Sequence, residues 1–210
     1  SFLSMSILFT AAASICISYI YQDFQWWFVG GLFSGLLILI RYLFLIVDSM
    51  IKKSYFNKPS AIAHIGFGVL ILATALNASL SYEKIINIKP GETYKGSDYE
   101  FYLIDFDLIN EPNYDSVRAK FSVKNIYTPN KTFFMFPEKR KYFIRGQITS
   151  ESAIKITPYK DIYMTLGDQL DNGYWVVNIQ YNYLIRWIWI AAAVMGIGGF
   201  AALMERLKRK

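Results

Sequence analysis

The apolar residues of this chain are gathered into four blocks, Phe2–Ile20, 26–47, 60–80 and 183–204. Each is close to the roughly 20 residues that carry a helix across about 30 Å of hydrocarbon. Two blocks contain an arginine, Arg41 and Arg186, and the other two carry no formal charge. One such block could be buried in a soluble protein, but the remainder of a 210-residue chain is too small to cover four. The pattern predicts four transmembrane helices. Between the third and fourth the period changes. Val117, Ala119, Phe121 and Val123 alternate with Arg118, Lys120 and Ser122, as in a strand with one buried face. Segments 99–109, 132–136, 161–166 and 174–181 read as further strands. They are separated by turn signals at Lys89-Pro90-Gly91-Glu92, Gly96-Ser97-Asp98, Thr128-Pro129-Asn130-Lys131 and Asp171-Asn172-Gly173.

The expected fold is an α-helical membrane protein of four transmembrane helices with one extracytoplasmic β-rich domain, a small barrel or sandwich, between helices three and four. The expected divisions are a hairpin with a basic loop over 1–59, a third helix over 60–81, the β domain over 82–182, and a fourth helix with a basic tail over 183–210.

Charge orients this layout. The net charge is +6, yet residues 82–182 hold 13 basic and 13 acidic side chains, so the excess lies outside the β domain. Lys52, Lys53 and Lys58 lie between the second and third blocks, and Arg206, Lys208, Arg209 and Lys210 follow the fourth. The link 21–25 has one Asp and no base. Short basic loops stay in the cytoplasm, which places the amino terminus inside and the β domain outside. Because this distribution accounts for the basic balance, nucleic acid is not an expected partner. Residues 1–20 lack the basic start of a secretory signal. Cys16, the only cysteine, lies in the first block and can form no intrachain disulfide.

The β domain has neither His nor Cys, which excludes a zinc cluster, a thiol nucleophile and a Ser–His pair within it. Asp105 and Asp107 share a strand face and read as a solvated edge. Gly196, Gly198 and Gly199 lie in a membrane block rather than in a phosphate loop. Gly30, Gly31 and Gly35 permit close helix contact, and Trp26 and Trp27 suit the membrane interface.

Within the spans, His64 is the residue to single out. An ionisable side chain inside a span is a functional-site candidate, and neutral imidazole ligates haem iron. Its chemistry fits equally an interfacial His reaching towards the headgroups. Arg41 either snorkels to the cytoplasmic surface or meets an anionic partner. Arg186, followed by Trp187 and Trp189, is an interface anchor or a second such pairing. The cluster Glu138, Lys139, Arg140, Tyr142 and Arg145 reads as a charged surface turn or as a docking surface.

Several motifs occur in an order that is familiar: Ala63-His64-Ile65-Gly66, Pro112-Asn113-Tyr114, Pro137-Glu138-Lys139-Arg140-x-Tyr142, Arg145-Gly146, Thr149-Ser150-Glu151-Ser152-Ala153-Ile154, Asp161-Ile162-Tyr163-Met164-Thr165-Leu166-Gly167 and Arg186-Trp187-Ile188-Trp189. Together they resemble the C-terminal part of the haem lyase family CcmF of the cytochrome c maturation (Ccm) system. The resemblance runs from about Ala61 to the C-terminus and more loosely through the first two helices.

That resemblance implies a polytopic protein of the bacterial inner membrane, in a family with relatives in some mitochondria. Its members receive haem from the haem chaperone CcmE, work with other Ccm subunits, and help join haem to the two thiols of a Cys-x-x-Cys-His segment in apocytochrome c. They also hold a haem b between two His of different helices. By the same resemblance His64 matches the second of these. The hypothesis built on it adds Arg41 or Arg186 as a propionate partner and has the β domain pack on the rest of the complex. The family's Trp-rich haem-presenting segment, its two flanking His and its other membrane His have no counterpart in this sequence, which leaves a C-terminal fragment and a split-gene product as alternatives. A reading from another class is a haem-free, membrane-anchored assembly or scaffold protein whose β domain binds an exported partner.

Overall fold

The computed structural model describes residues 2–20, 25–54, 56–128, 130–144 and 146–208. The chain divides into two compact units, Ser1–Ser81 with Tyr183–Lys210, and Tyr82–Asn182.

The first unit holds helices α1 (Phe2–Ile20), α2 (Trp26–Lys52), α3 (Lys58–Leu80) and α4 (Ile185–Lys208). They pack in chain order, α1 on α2, α2 on α3 and α3 on α4. By length and composition α2, α3 and α4 can each cross a membrane, and most of each is unburied. Leu43, Val47, Met50, Ile51, Trp189, Ile197 and Phe200 face outward. Helices apolar on their outer faces require lipid or further protein around them. In α1 the apolar stretch with described side chains, Ser6–Ile20, is shorter than a span. Its buried face is a stripe of hydroxyls at four-residue spacing, Ser6, Thr10, Ser14 and Ser18. Thr10, Ser14 and Ser18 donate to the carbonyls of Ser6, Thr10 and Ser14 at 2.9, 2.7 and 2.9 Å, so burial leaves these donors satisfied.

Small residues set the helix spacings. Gly35 and Gly68 face each other so closely that a Cβ on either would lie 3.1–3.2 Å from the other's carbonyl oxygen. A Cβ on Gly198 would lie 2.5 Å from the backbone nitrogen of Ala63. Gly31 abuts Ala75, whereas Gly30 meets nothing and takes no part in the contact expected of it. Helix α3 starts where Asn57 accepts a hydrogen bond from the Ser60 amide, with Pro59 in the first turn, a position that needs no donor. Its far end is tied by Asn77 Nδ2, which donates to the Tyr183 carbonyl at 2.5 Å.

The second unit is a β-sandwich. One sheet has the order β1 (Tyr82–Ile88), β10 (Trp175–Tyr183), β9 (Lys160–Gln169), β8 (Ala153–Lys155). The other has the order β2 (Thr93–Lys95), β3 (Tyr99–Glu111), β4 (Tyr114–Asn125), β6 (Glu138–Tyr142), β7 (Ile148–Glu151), and β5 (Thr132–Met135) pairs with β4 off that path. The core between the sheets joins Phe101, Leu103, Ala119, Phe121 and Val123 to Ile162, Met164, Leu166, Val177, Ile179 and Tyr181. The alternation legible in 117–123 is the one realised. Ala119, Phe121 and Val123 are fully buried, and Val117 is half-buried. A register shift between Leu103 and Asp105 adds a residue to β3. It leaves Asp105 and Asp107 on the solvent side, opposite Lys120 and Arg118.

One reading is corrected. Residues 138–142 form no surface turn but an inner strand, β6, paired with β4 on one side and β7 on the other. Five successive polar residues hide a strand from any hydrophobic period.

Candidate functional site

His64 lies six residues into α3, about 9 Å along the axis from its start. Its ring stacks on Tyr42 of α2, with centroids 4.6 Å apart and planes 20° from parallel. Nδ1 lies 2.7 Å from the Ser60 carbonyl oxygen, one turn back on its own helix. A carbonyl can only accept, so Nδ1 carries the proton of this bond, and the neutral ring in this tautomer has its lone pair on Nε2. No hydrogen bond to Nε2 occurs among the described residues, and the side chain is exposed on the helix surface. This is the arrangement in which imidazole serves as a metal ligand: one nitrogen held by a backbone carbonyl, the other presented outward.

Two close helix approaches fix this position. The Gly35–Gly68 contact and the Tyr42 stack register α3 against α2, and the Ala63–Gly198 contact registers it against α4 one residue before His64. Arg41 precedes Tyr42 and is likewise exposed, so it stands at the level of His64 along the helix pair. Arg186, half-buried in the first turn of α4, is near the opposite end, with Trp187 and Trp189 exposed beside it. The structure thus brings Arg41, and not Arg186, to the level of the candidate ligand. Among the described residues no group of three His, Cys, Asp or Glu side chains could hold a metal ion. A group bound at His64 would find no second histidine in this sequence.

The β6 cluster is divided between the two faces of its sheet. Glu138 is buried and accepts from Arg118 Nη2 at 2.9 Å and Nε at 3.2 Å, and from Arg140 Nε at 2.8 Å. Arg140 lies 4.7 Å from the Tyr114 ring centroid, and that ring lies 5.3 Å from Tyr142. Burial alone would raise the Glu138 carboxyl, but the hydrogen bonds outweigh it, Arg140 foremost, and hold it down at about 2. Arg140 is raised in turn, chiefly by its bond to Glu138. Lys139 projects to the other face, where it pairs with Asp168 and reaches the Gly167 carbonyl at 3.3 Å. Beside it Ser150 Oγ donates to the Leu166 carbonyl at 3.0 Å, and together they bind the two sheets. Arg145 lies outside the described residues. Sequence reasoning missed the link from Glu138 to Arg118, a partner 20 residues away that only strand register reveals. It also missed the hydroxyl stripe of α1, although the four-residue spacing was there to read.

Comparison with known proteins agrees with this architecture. Residues 79–183 match the family model described as the CcmF C-terminal beta-sandwich. A cytochrome c-type biogenesis protein CcmF of Escherichia coli K12 is 31% identical over 148 residues, 70% of this chain and 23% of the relative. The CcmF of Pseudomonas fluorescens is 26% identical over 97% of this chain and 32% of its own length. A solved structure titled cytochrome c heme lyase CcmF superposes with a TM-score of 0.71 at 12% identity, over 93% of this chain and 33% of that one, a likeness of fold. This chain spans about a quarter of the length of the first two curated relatives it matches. On the extent of the sandwich match and on its identity to these relatives, the chain belongs to the CcmF family of cytochrome c-type biogenesis proteins.

Proposed function

We propose that this chain is the C-terminal module of a cytochrome c haem lyase that attaches haem to apocytochrome c, with His64 as one axial ligand of a membrane haem b. The observation that carries the reading is the imidazole itself: Nδ1 engaged by the Ser60 carbonyl and Nε2 without a bond, on the surface of a helix long enough to cross the membrane. A polar ring at that depth has a cost that iron coordination offsets. Tyr42 fixes the ring plane, and Arg41 at the same level is the propionate partner the reading favours over Arg186. The group itself would supply redox chemistry, while this chain orients one ligand and offers a compensating charge. The second axial ligand must come from another segment or chain, because this sequence has one His.

In this reading all four helices span the bacterial inner membrane, with the basic segments in the cytoplasm and the sandwich in the periplasm. The sandwich works as a docking domain for the remainder of the lyase, the haem chaperone CcmE, other Ccm subunits and apocytochrome c. Its docking residues would be Arg140 and Tyr142, ordered by Glu138, together with Arg145, whereas Lys139 is committed to the other face by Asp168. The test is His64→Gly in the protein purified with its associated chains. The b-type absorbance should be lost and should return on adding imidazole. Haem content unchanged by His64→Gly would sink the ligand assignment. Loss without imidazole rescue would reduce His64 to a structural residue.

A further inference from the structure

A second site lies at the basic end of the helical unit, apart from His64. A cavity of about 800 Å3 opens there among the end of α2, the start of α3 and the end of α4. Its floor is apolar, formed chiefly by Ile46, Met50, Phe56, Ile62 and Ile65, and Lys58 stands at its rim. The volume lies in the range of small-ligand sites. His64 does not line it, so the haem reading leaves it unused.

The surrounding charge says what would fill it. Lys52, Lys53, Lys58, Arg206 and Lys208 cluster at this end of the three helices, against Asp48 and Glu205 among the described residues. Asp48 is taken up by Lys52 at 2.8 Å. Glu205 is the one acid on the lining. An apolar floor continuous with exposed helix faces, closed at the helix ends by an excess of lysine, has the polarity of a phospholipid with an anionic headgroup. We infer that this cavity is a binding site for one anionic phospholipid, its acyl chain on Ile46, Met50, Ile62 and Ile65 and its phosphate at Lys58. The inference rests on the membrane character of the helices and not on haem binding.

The test is native mass spectrometry of the protein purified with its associated chains and stripped of lipid. Phosphatidylglycerol or phosphatidylethanolamine is then added back. One phosphatidylglycerol should persist under activation that removes phosphatidylethanolamine. Lys58→Gln should weaken its retention about fivefold, the effect of one lysine near an anionic headgroup, and Lys58→Glu by more. An acid in the first turn suits a helix, so weaker retention in Lys58→Glu cannot be ascribed to a damaged α3. Ile62→Trp, which fills the floor, should abolish the adduct. Equal retention of the two lipids, or retention unchanged in Lys58→Glu and Ile62→Trp, overturns the site. So does a cross-link from Ile65→Cys to another polypeptide segment, which would show that protein covers the cavity.

Discussion

Two polar clusters of this molecule sit at the extremes of satisfaction. In the sandwich, Glu138 is buried with both oxygens engaged, and Arg118, Arg140 and Glu151 extend the chain of charge across neighbouring strands. In the helical unit, His64 has one nitrogen engaged and the other without a bond among the described residues. The first cluster is saturated by its own fold, so its charges act chiefly on stability. The second retains unused bonding capacity on the surface of an apolar helix, and the proposed ligand role rests on that. The lesson is that the density of charge misleads and the balance of partners does not. The sequence is richest in charge at β6, yet the open valence is on the lone imidazole.

The largest effect should come from breaking the saturated cluster. Glu138→Gln leaves Arg118 and Arg140 beside a neutral amide, and it should destabilise the sandwich by about 3 kcal/mol, as for a buried ion pair broken from one side. Hydrogen exchange at the amides of β4, β6 and β7 in the intact protein reads this directly, and protection within twofold of the parent would contradict it. The same carboxylate gives a pH signature. Its pKa falls from the ordinary 4.5 to about 2 on folding, so its contribution is complete above about 4.5. That contribution is lost as pH falls through about 2. The parent should lose protection across this window by an amount on the order of 3 kcal/mol, and Glu138→Gln should show a flatter profile there.

A smaller effect is expected where the helices approach most closely. Gly198→Ala puts a Cβ 2.5 Å from the Ala63 nitrogen, and backbone cannot swing aside as a side chain does. The expected cost is about 2 kcal/mol, the range of an overpacked interior. Because Ala63 adjoins His64, any haem spectrum should shift as well. Gly30→Ala is the control, since nothing lies within 4 Å of that position and the substitution should leave the helix as stable or more so. Similar melting temperatures for the two variants would show that the α3–α4 contact does not set the position of α3.

How much of this was legible in the sequence differs between the two units for a physical reason. The helical blocks were visible because lipid crossing imposes a long, continuous apolar run, and such a run is local. The core strands with alternating residues, 117–123 and 161–166, were visible on the same ground. Strands β1, β2, β6, β7 and β8 were not. Strands β2, β6, β7 and β8 are short or polar, and β1 lacks a strict alternation, its Ile85 and Ile86 being adjacent; the place of each is decided by pairing with another strand. His64 stood out in the sequence as the only His. The tautomer, the Tyr42 stack and the level of Arg41 could not be read there, since they follow from the α2–α3 register that Gly35 and Gly68 impose.

The smallest expected effect is the most diagnostic of the contrast. His64 is exposed, and its described contacts are the Ser60 carbonyl and hydroxyl and the Tyr42 ring. A stacked pair contributes about 0.5–1.5 kcal/mol beyond area burial, and replacing a polar ring by a methyl group suits a helix surface in contact with lipid. The two terms oppose each other, so His64→Ala should change the stability of the ligand-free protein by less than about 1 kcal/mol. Thermal unfolding in detergent, followed by helical circular dichroism on protein stripped of bound groups, measures it. A loss as large as that of Glu138→Gln would mean that the imidazole is a structural residue of the α2–α3 pair. A loss near zero, together with the disappearance of bound haem from the intact complex, would mean that the fold tolerates this polar ring without depending on it.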